Sequence, residues 1–174
     1  MKIQSFFKAS LSACIGLALF AVAGQAAYPP AAQYVSSAPP PNQARIWFYR
    51  DANPYESTAT PYVRLNGAVV GISQPGAAFF VDVAPGHYHL SADSYGEDYN
   101  QTRDIDIGPG QVAFAKVLSN DNWIYGGGGE RSGGYKRDTF YVWTIAPQAA
   151  VPVIAQSYLY GNATQTSGSP YFPR

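Results

Sequence analysis

The sequence predicts an all-β domain, an antiparallel β-sandwich of about seven to nine strands with an immunoglobulin-like or transthyretin-like arrangement. Three observations carry this. Apolar residues make up 47% of the 174 and charged residues only 13%, a balance that favours a buried core over a disordered chain. Aromatic residues, with 14 Tyr, 9 Phe and 3 Trp, fit the half-buried surface of a sheet. The 17 Gly and 14 Pro place turn signals between short apolar segments at intervals of roughly 8–12 residues. Lys+Arg and Asp+Glu cancel at 11 each, so the chain lacks the basic excess of nucleic-acid modules.

Residues 1–26 have the three parts of a secretory signal peptide. Lys2 and Lys8 give the positive start, Leu11 to Ala23 is an apolar run, and Gly24-Gln25-Ala26 offers the small residues read by a signal peptidase. The run is shorter than the roughly 20 residues a transmembrane helix needs, and cleavage is expected after Ala26. Leu11-Ser12-Ala13-Cys14 also fits the bacterial lipobox. Lipidation of Cys14 would anchor the domain to a membrane, but would leave too little apolar sequence upstream. Loss of the signal removes the only cysteine, and with it any disulfide or thiolate chemistry. It also removes two of the eleven basic residues, leaving the mature chain mildly acidic.

Residues 27–43 read as a proline-rich linker, a semi-rigid polyproline spacer. The domain itself is expected over 44–159. Arg45 to Arg50 is a first strand dense in aromatics. Tyr62 to Leu65 and Ala68 to Ile72 flank Asn66-Gly67, the pair that a type I′ hairpin turn demands because both positions need positive φ. Ala78 to Val83 lies between Pro75-Gly76 and Pro85-Gly86, and His87 to Ala92 follows. Arg103 to Ile107 alternates Asp104 and Asp106 with Ile105 and Ile107, as a half-buried strand requires. Val112 to Leu118, Thr139 to Ile145 and Val151 to Leu159 complete the strands. Asn122 to Lys136 reads as a glycine-rich loop and 160–174 as a polar flexible tail. No segment after the signal shows a helical period.

The run Ala44-Arg-Ile-Trp-Phe-Tyr-Arg50, then Val63-Arg-Leu-Asn-Gly67, Val70-Gly71, Phe79-Phe-Val-Asp-Val83 and Ala84-Pro-Gly-His87, resembles the bacterial family called domain of unknown function 2846. The likeness covers roughly Ala44 to Ile145. It is also similar to small surface sandwiches with transthyretin-like or PEGA-like repeats. The resemblance implies an envelope-associated β-sandwich, secreted or lipid-anchored, with no catalytic residues to carry over.

Candidate sites are few. Trp123, Tyr125 and Tyr135 flank Gly126 to Gly129, where exposed rings would stack on sugars or anchor a protein partner; folded back, the same rings would cap the core. His87 and His89 share one strand face and are the only pairing that points to a metal. Zinc takes three or four ligands and the chain has 2 His, so a solvated polar face accounts for the pair and no metal is expected. Asp93, Glu97, Asp98, Asp104 and Asp106 are the acidic concentration, without EF-hand spacing. A carboxylate pair such as Asp98 and Asp106 would cleave a glycan only if held roughly 5–9.5 Å apart. The glycine run lacks the Lys and helix of a phosphate loop, and no Gly-x-Ser-x-Gly elbow occurs.

The expectation is therefore an exported, non-catalytic protein of the bacterial envelope, periplasmic or at the cell surface. It would act as a binding or assembly module without a cofactor. The partner would be an envelope protein or glycan, not nucleic acid, and no transmembrane helix would remain after signal cleavage. Three other readings stay open, one of them a structural surface protein whose uncovered edge strands add to another sheet. A carbohydrate-binding module would show coplanar exposed rings, and a glycan-acting hydrolase would gather its carboxylates or histidines in one cleft.

Overall fold

Ala44–Tyr49 (β1) is buried along its whole length. Its side chains alternate, so Ile46 and Phe48 enter one apolar cluster while Trp47 and Tyr49 enter another on the opposite face. A strand apolar on both faces has to be covered on both, and the rest of the fold does this. The structure, a computed structural model, describes residues 28–95, 98–124 and 135–161. The expected signal peptide with Cys14, the glycine run with Tyr125, and the tail beyond 161 lie outside the described residues.

The later strands are β2 (Tyr62–Leu65), β3 (Ala68–Ile72), β4 (Ala77–Val83), β5 (Gly86–Ala92), β6 (Arg103–Ile107), β7 (Val112–Ile124), β8 (Tyr135–Thr144) and β9 (Tyr158–Leu159). They form a five-stranded sheet in the order β8-β7-β1-β4-β9 and a four-stranded sheet in the order β3-β2-β5-β6. This is the expected all-β sandwich. Within it, β1 runs parallel to β7, with Ile46 opposite Ala113, and β4 runs parallel to β9; the other pairings are antiparallel.

Between the sheets, Ile46, Phe48, Phe79, Val117 and Val142 meet Val63, Leu65, Leu90 and Ile107. Phe48 and Phe79 stack at 5.2 Å. The Phe79 ring fills the space over Gly71, where an added Cβ would lie 2.5 Å from it. At the Asn66-Gly67 turn, φ is 50° and 83°, the two positive values the hairpin requires.

The outer face of the five-stranded sheet departs from the sequence expectation. Val151 to Gln156, read as strand, belongs to a helix, Pro147–Gln156 (α2). Pro147 suits a first helical turn, where its missing N–H is not needed. Pro152 removes one internal bond, and Gln156 and Ser157 return side-chain hydrogen bonds to the carbonyls of Pro152 and Val153. Burial decides the outcome over propensity: Ala150 and Ile154, one turn apart, seat against Trp47, Tyr49, Ala78 and Phe114.

The proline-rich segment is docked rather than free. Ala31 is fully buried and donates its N–H to the Ser157 carbonyl at 3.0 Å, and Pro30 bridges to Tyr158. Ala32–Val35 (α1) adds Tyr34 and Val35 to the same cluster. Arg45 fixes the far end of the segment. It pairs with Asp82 at 2.7 and 2.9 Å, lies over the Phe80 ring at 3.9 Å and bonds Ser37 Oγ at 2.7 Å. Among the described residues no helix is long and apolar enough to cross a membrane.

Candidate functional site

The strand directions gather three connections at one end of the sandwich. β1 finishes there and β2 starts there, joined by residues 50–61. β5 finishes there and β6 starts there, joined by 93–102. The β7–β8 hairpin projects from the same end. The last β1–β7 pair is Tyr49 with Lys116, whereas the β7–β8 ladder continues to Ile124 opposite Tyr135, which carries the hairpin roughly 25 Å further at about 3.3 Å per residue.

Arg50 organises this end. It is fully buried, which a charged residue tolerates only when paired and hydrogen-bonded. Nη1 donates to the Ala59 carbonyl at 2.7 Å, and Nη2 donates to the Ser57 carbonyl and to Ser119 Oγ at 3.2 Å. Glu56 Oε2 stands 3.7 Å from Nε and accepts from Ser119 at 3.2 Å. The guanidinium lies 5.3 Å from the centre of the Phe140 ring. Lys116 binds Asp51 at the mouth of the same loop, and Asn53 Oδ1 accepts the Tyr55 N–H at 3.0 Å. Burial, with the Asp51 charge adding to it, pushes Tyr49 up to about 12.

The 93–102 loop is tied as closely. Ser94 Oγ accepts the Phe140 N–H at 3.1 Å, Gln101 Nε2 donates to the Phe140 carbonyl at 3.2 Å, and Val142 N–H meets the Gln101 carbonyl at 2.8 Å. Tyr141 donates its hydroxyl to Asp98 at 2.6 Å. Asp93 chelates Arg64 at 2.6 and 3.0 Å, and this hydrogen bonding raises the guanidinium above its ordinary value. From these fixed loops Tyr55, Tyr95 and Tyr99 stand 90%, 94% and 91% exposed. Beside Tyr95 lies a depression of about 390 Å³, walled by Pro61 and Tyr62, by Asp93 and Tyr95, and by Asp138 and Phe140 of β8. That is within the size range of small-molecule sites. One carboxylate oxygen of Asp138 is buried without a hydrogen-bond partner.

The residues singled out from sequence fall in two places. Trp123 and Tyr135, expected in a loop, lie on the strands of the projecting hairpin, Trp123 opposite Lys136 and Tyr135 opposite Ile124. Their side chains, like Tyr125 as a whole, lie outside what the structure describes. His87 and His89 sit on the outward face of β5, opposite Asp106 and Asp104. His87 Nδ1 is 3.0 Å from Asp106 Oδ1 and His89 Nδ1 is 2.7 Å from Asp104 Oδ1, in a row of exposed side chains. This is cross-strand pairing of polar side chains on a solvated face; among the described residues no group of three or more such side chains is placed to hold a metal ion. Asp98 and Asp106 are not brought together, since the first is bound to Tyr141 in the end loop and the second to His87 on the sheet.

Sequence reasoning passed over Tyr55, Tyr62, Tyr95, Tyr99 and Asp138. A signal for three of them was present. Tyr55, Tyr95 and Tyr99 stand in runs rich in Asn, Pro, Gly and acids, where no period leads a ring into a core.

No curated protein matches the chain. A family model described as "Protein of unknown function (DUF2846)" matches residues 40–147, taking in β1 to β8 and leaving α1, β9 and nearly all of α2 outside. The match covers more than half of the chain, which therefore belongs to this family of unknown function.

Proposed function

We propose that the chain is an exported, non-catalytic binding module of the bacterial envelope, and that the loop end of the sandwich is its recognition face. The observation that carries this is the set of three almost fully exposed tyrosines, Tyr55, Tyr95 and Tyr99, on loops pinned to the sheets, with an open depression beside Tyr95. A Tyr ring offers a large contact area with few torsions to freeze. Loops already fixed by Arg50, Ser94 and Gln101 lose little further freedom on binding. The projecting β7–β8 hairpin extends the same face. Export rests on the signal pattern of residues 1–26.

The test is capture from envelope extract by the purified exported chain and by its Tyr55→Ser/Tyr95→Ser/Tyr99→Ser variant. The proposal expects a protein or glycan retained by the first and released by the second. Equal retention by both, or retention of nothing, overturns it. Mass spectrometry of the same preparation reads the start of the chain: Ala27 supports the free exported form, and a lipidated Cys14 would replace it with the anchored one.

A further inference from the structure

We infer that the depression beside Tyr95 takes an uncharged glycan whose pyranose hydroxyls are equatorial; this deepens the recognition face proposed above and rests on it. Among the described residues no Lys or Arg lines the depression, whereas Asp93 and Asp138 do. An anionic ligand therefore finds nothing to pair with there. Arg64 holds the Asp93 carboxylate at 2.6 and 3.0 Å, which answers its charge and fixes its plane. A carboxylate has about four acceptor sites, so about two remain on Asp93, whose side chain is 42% exposed. They suit hydroxyl protons, which need no counter-ion.

The walls suit the same ligand. Tyr62 and Tyr95 line the depression and are 47% and 94% exposed. A pyranose with equatorial hydroxyls carries axial C–H groups on both faces; these pack on an aromatic ring while the hydroxyls stay at the rim. Thr60, exposed on the same wall, adds a hydroxyl that both donates and accepts. A protein partner would call for an apolar centre depleted of charge. Here the apolar wall residues are Ala59, Pro61 and Phe140, and the last two are buried. The walls are also fixed in advance. Asp93 N–H donates to the Tyr62 carbonyl at 2.8 Å, Ser73 N–H to the Pro61 carbonyl at 2.9 Å, and Phe140 N–H to Ser94 Oγ at 3.1 Å. Little ordering is then left for binding to impose. The volume of about 390 Å³ gives room for roughly one or two sugar rings.

The experiment is calorimetric titration of the purified chain with cellotetraose, with its N-acetylamino counterpart chitotetraose, and with the matching tetramer of glucuronate. All three share the equatorial ring, and only the last is charged. At least one uncharged probe is expected to bind, at least about tenfold more tightly than the glucuronate tetramer. Tyr62→Ala and Tyr95→Ala are each expected to weaken that binding by about tenfold or more. Tyr95 is 94% exposed, so its variant removes the ring without touching the core. The inference is overturned if neither uncharged probe binds, if the glucuronate tetramer binds as tightly, or if both variants bind as the unaltered chain does. A captured protein released by the tyrosine variants, with neither uncharged probe bound, would leave the recognition face standing and remove only the glycan.

Discussion

Arg50→Met tests how the loop end is held. Methionine keeps most of the apolar stem but removes a guanidinium that donates to the carbonyls of Ser57 and Ala59 and to Ser119 Oγ, and that faces Glu56. The partners stay behind, and removing one side of a buried charged pair costs about 3–5 kcal/mol, because the remaining groups lose their donor without regaining water. A chain of this length loses roughly 3 °C of Tm per kcal/mol, so the drop is on the order of 10 °C. Urea unfolding followed by circular dichroism measures it, with an unchanged m-value showing that the same surface unfolds. Faster amide exchange in residues 55–61 should accompany the loss, since these are the carbonyls and chain that Arg50 fixes. Arg50→Lys should recover only part, because an ammonium cannot reach three acceptors in a plane. A loss under about 1 kcal/mol, the range of an exposed ion pair, would refute the reasoning. So would a loss reproduced in full by Glu56→Gln alone.

Gly71→Val should destabilise by about 1–3 kcal/mol, as overpacking does, because its Cβ would meet the Phe79 ring at 2.5 Å; adding Phe79→Leu should recover part in the same urea assay. Ala31→Glu places an unpaired charge at a fully buried position under α2, and a loss of about 3 kcal/mol or more is expected; a neutral result would mean that the segment is a free spacer after all. Tyr49 is held neutral in the fold with its value pushed up to about 12, against 10.0 unfolded. Its contribution is present below pH 10 and is lost as pH rises from 10 through 12, so Tyr49→Phe should flatten part of the alkaline fall in stability.

The strands were legible because their signals are local. Asn66-Gly67 needs two positive φ values whatever surrounds it, and the alternation of Asp104, Ile105, Asp106 and Ile107 shows as exposed, half-buried, exposed and buried positions. The second helix was not legible. Pro147, Pro152 and the run of Val and Ile argue against a helix locally, and only the uncovered rings of Trp47, Tyr49 and Phe114, supplied by distant strands, make it worth forming. The proline-rich segment follows the same logic, since Ala31 bonds to Ser157 and shares a buried cluster with Trp47, both supplied by distant parts of the chain. Asn122 to Ile124, Tyr135 and Lys136 looked like loop because Gly and Asn beside them weaken a strand locally, whereas the ladder between β7 and β8 takes them in. The loop end depends on contacts far apart in the chain. Arg50 reads as a strand boundary until Ser119 and Phe140 are brought to it, and nothing near Asp138 in sequence reveals that its carboxylate closes a depression with Tyr62 and Tyr95.

The most direct test of the recognition face is amide hydrogen exchange on the chain alone and in complex with the material it retains from envelope extract. The account predicts slowed exchange in residues 51–61, 93–101 and the β7–β8 hairpin, with the outward strand of His87 and His89 unchanged. Slowing confined to that histidine strand or to α2, with the loop end exchanging as before, would contradict it.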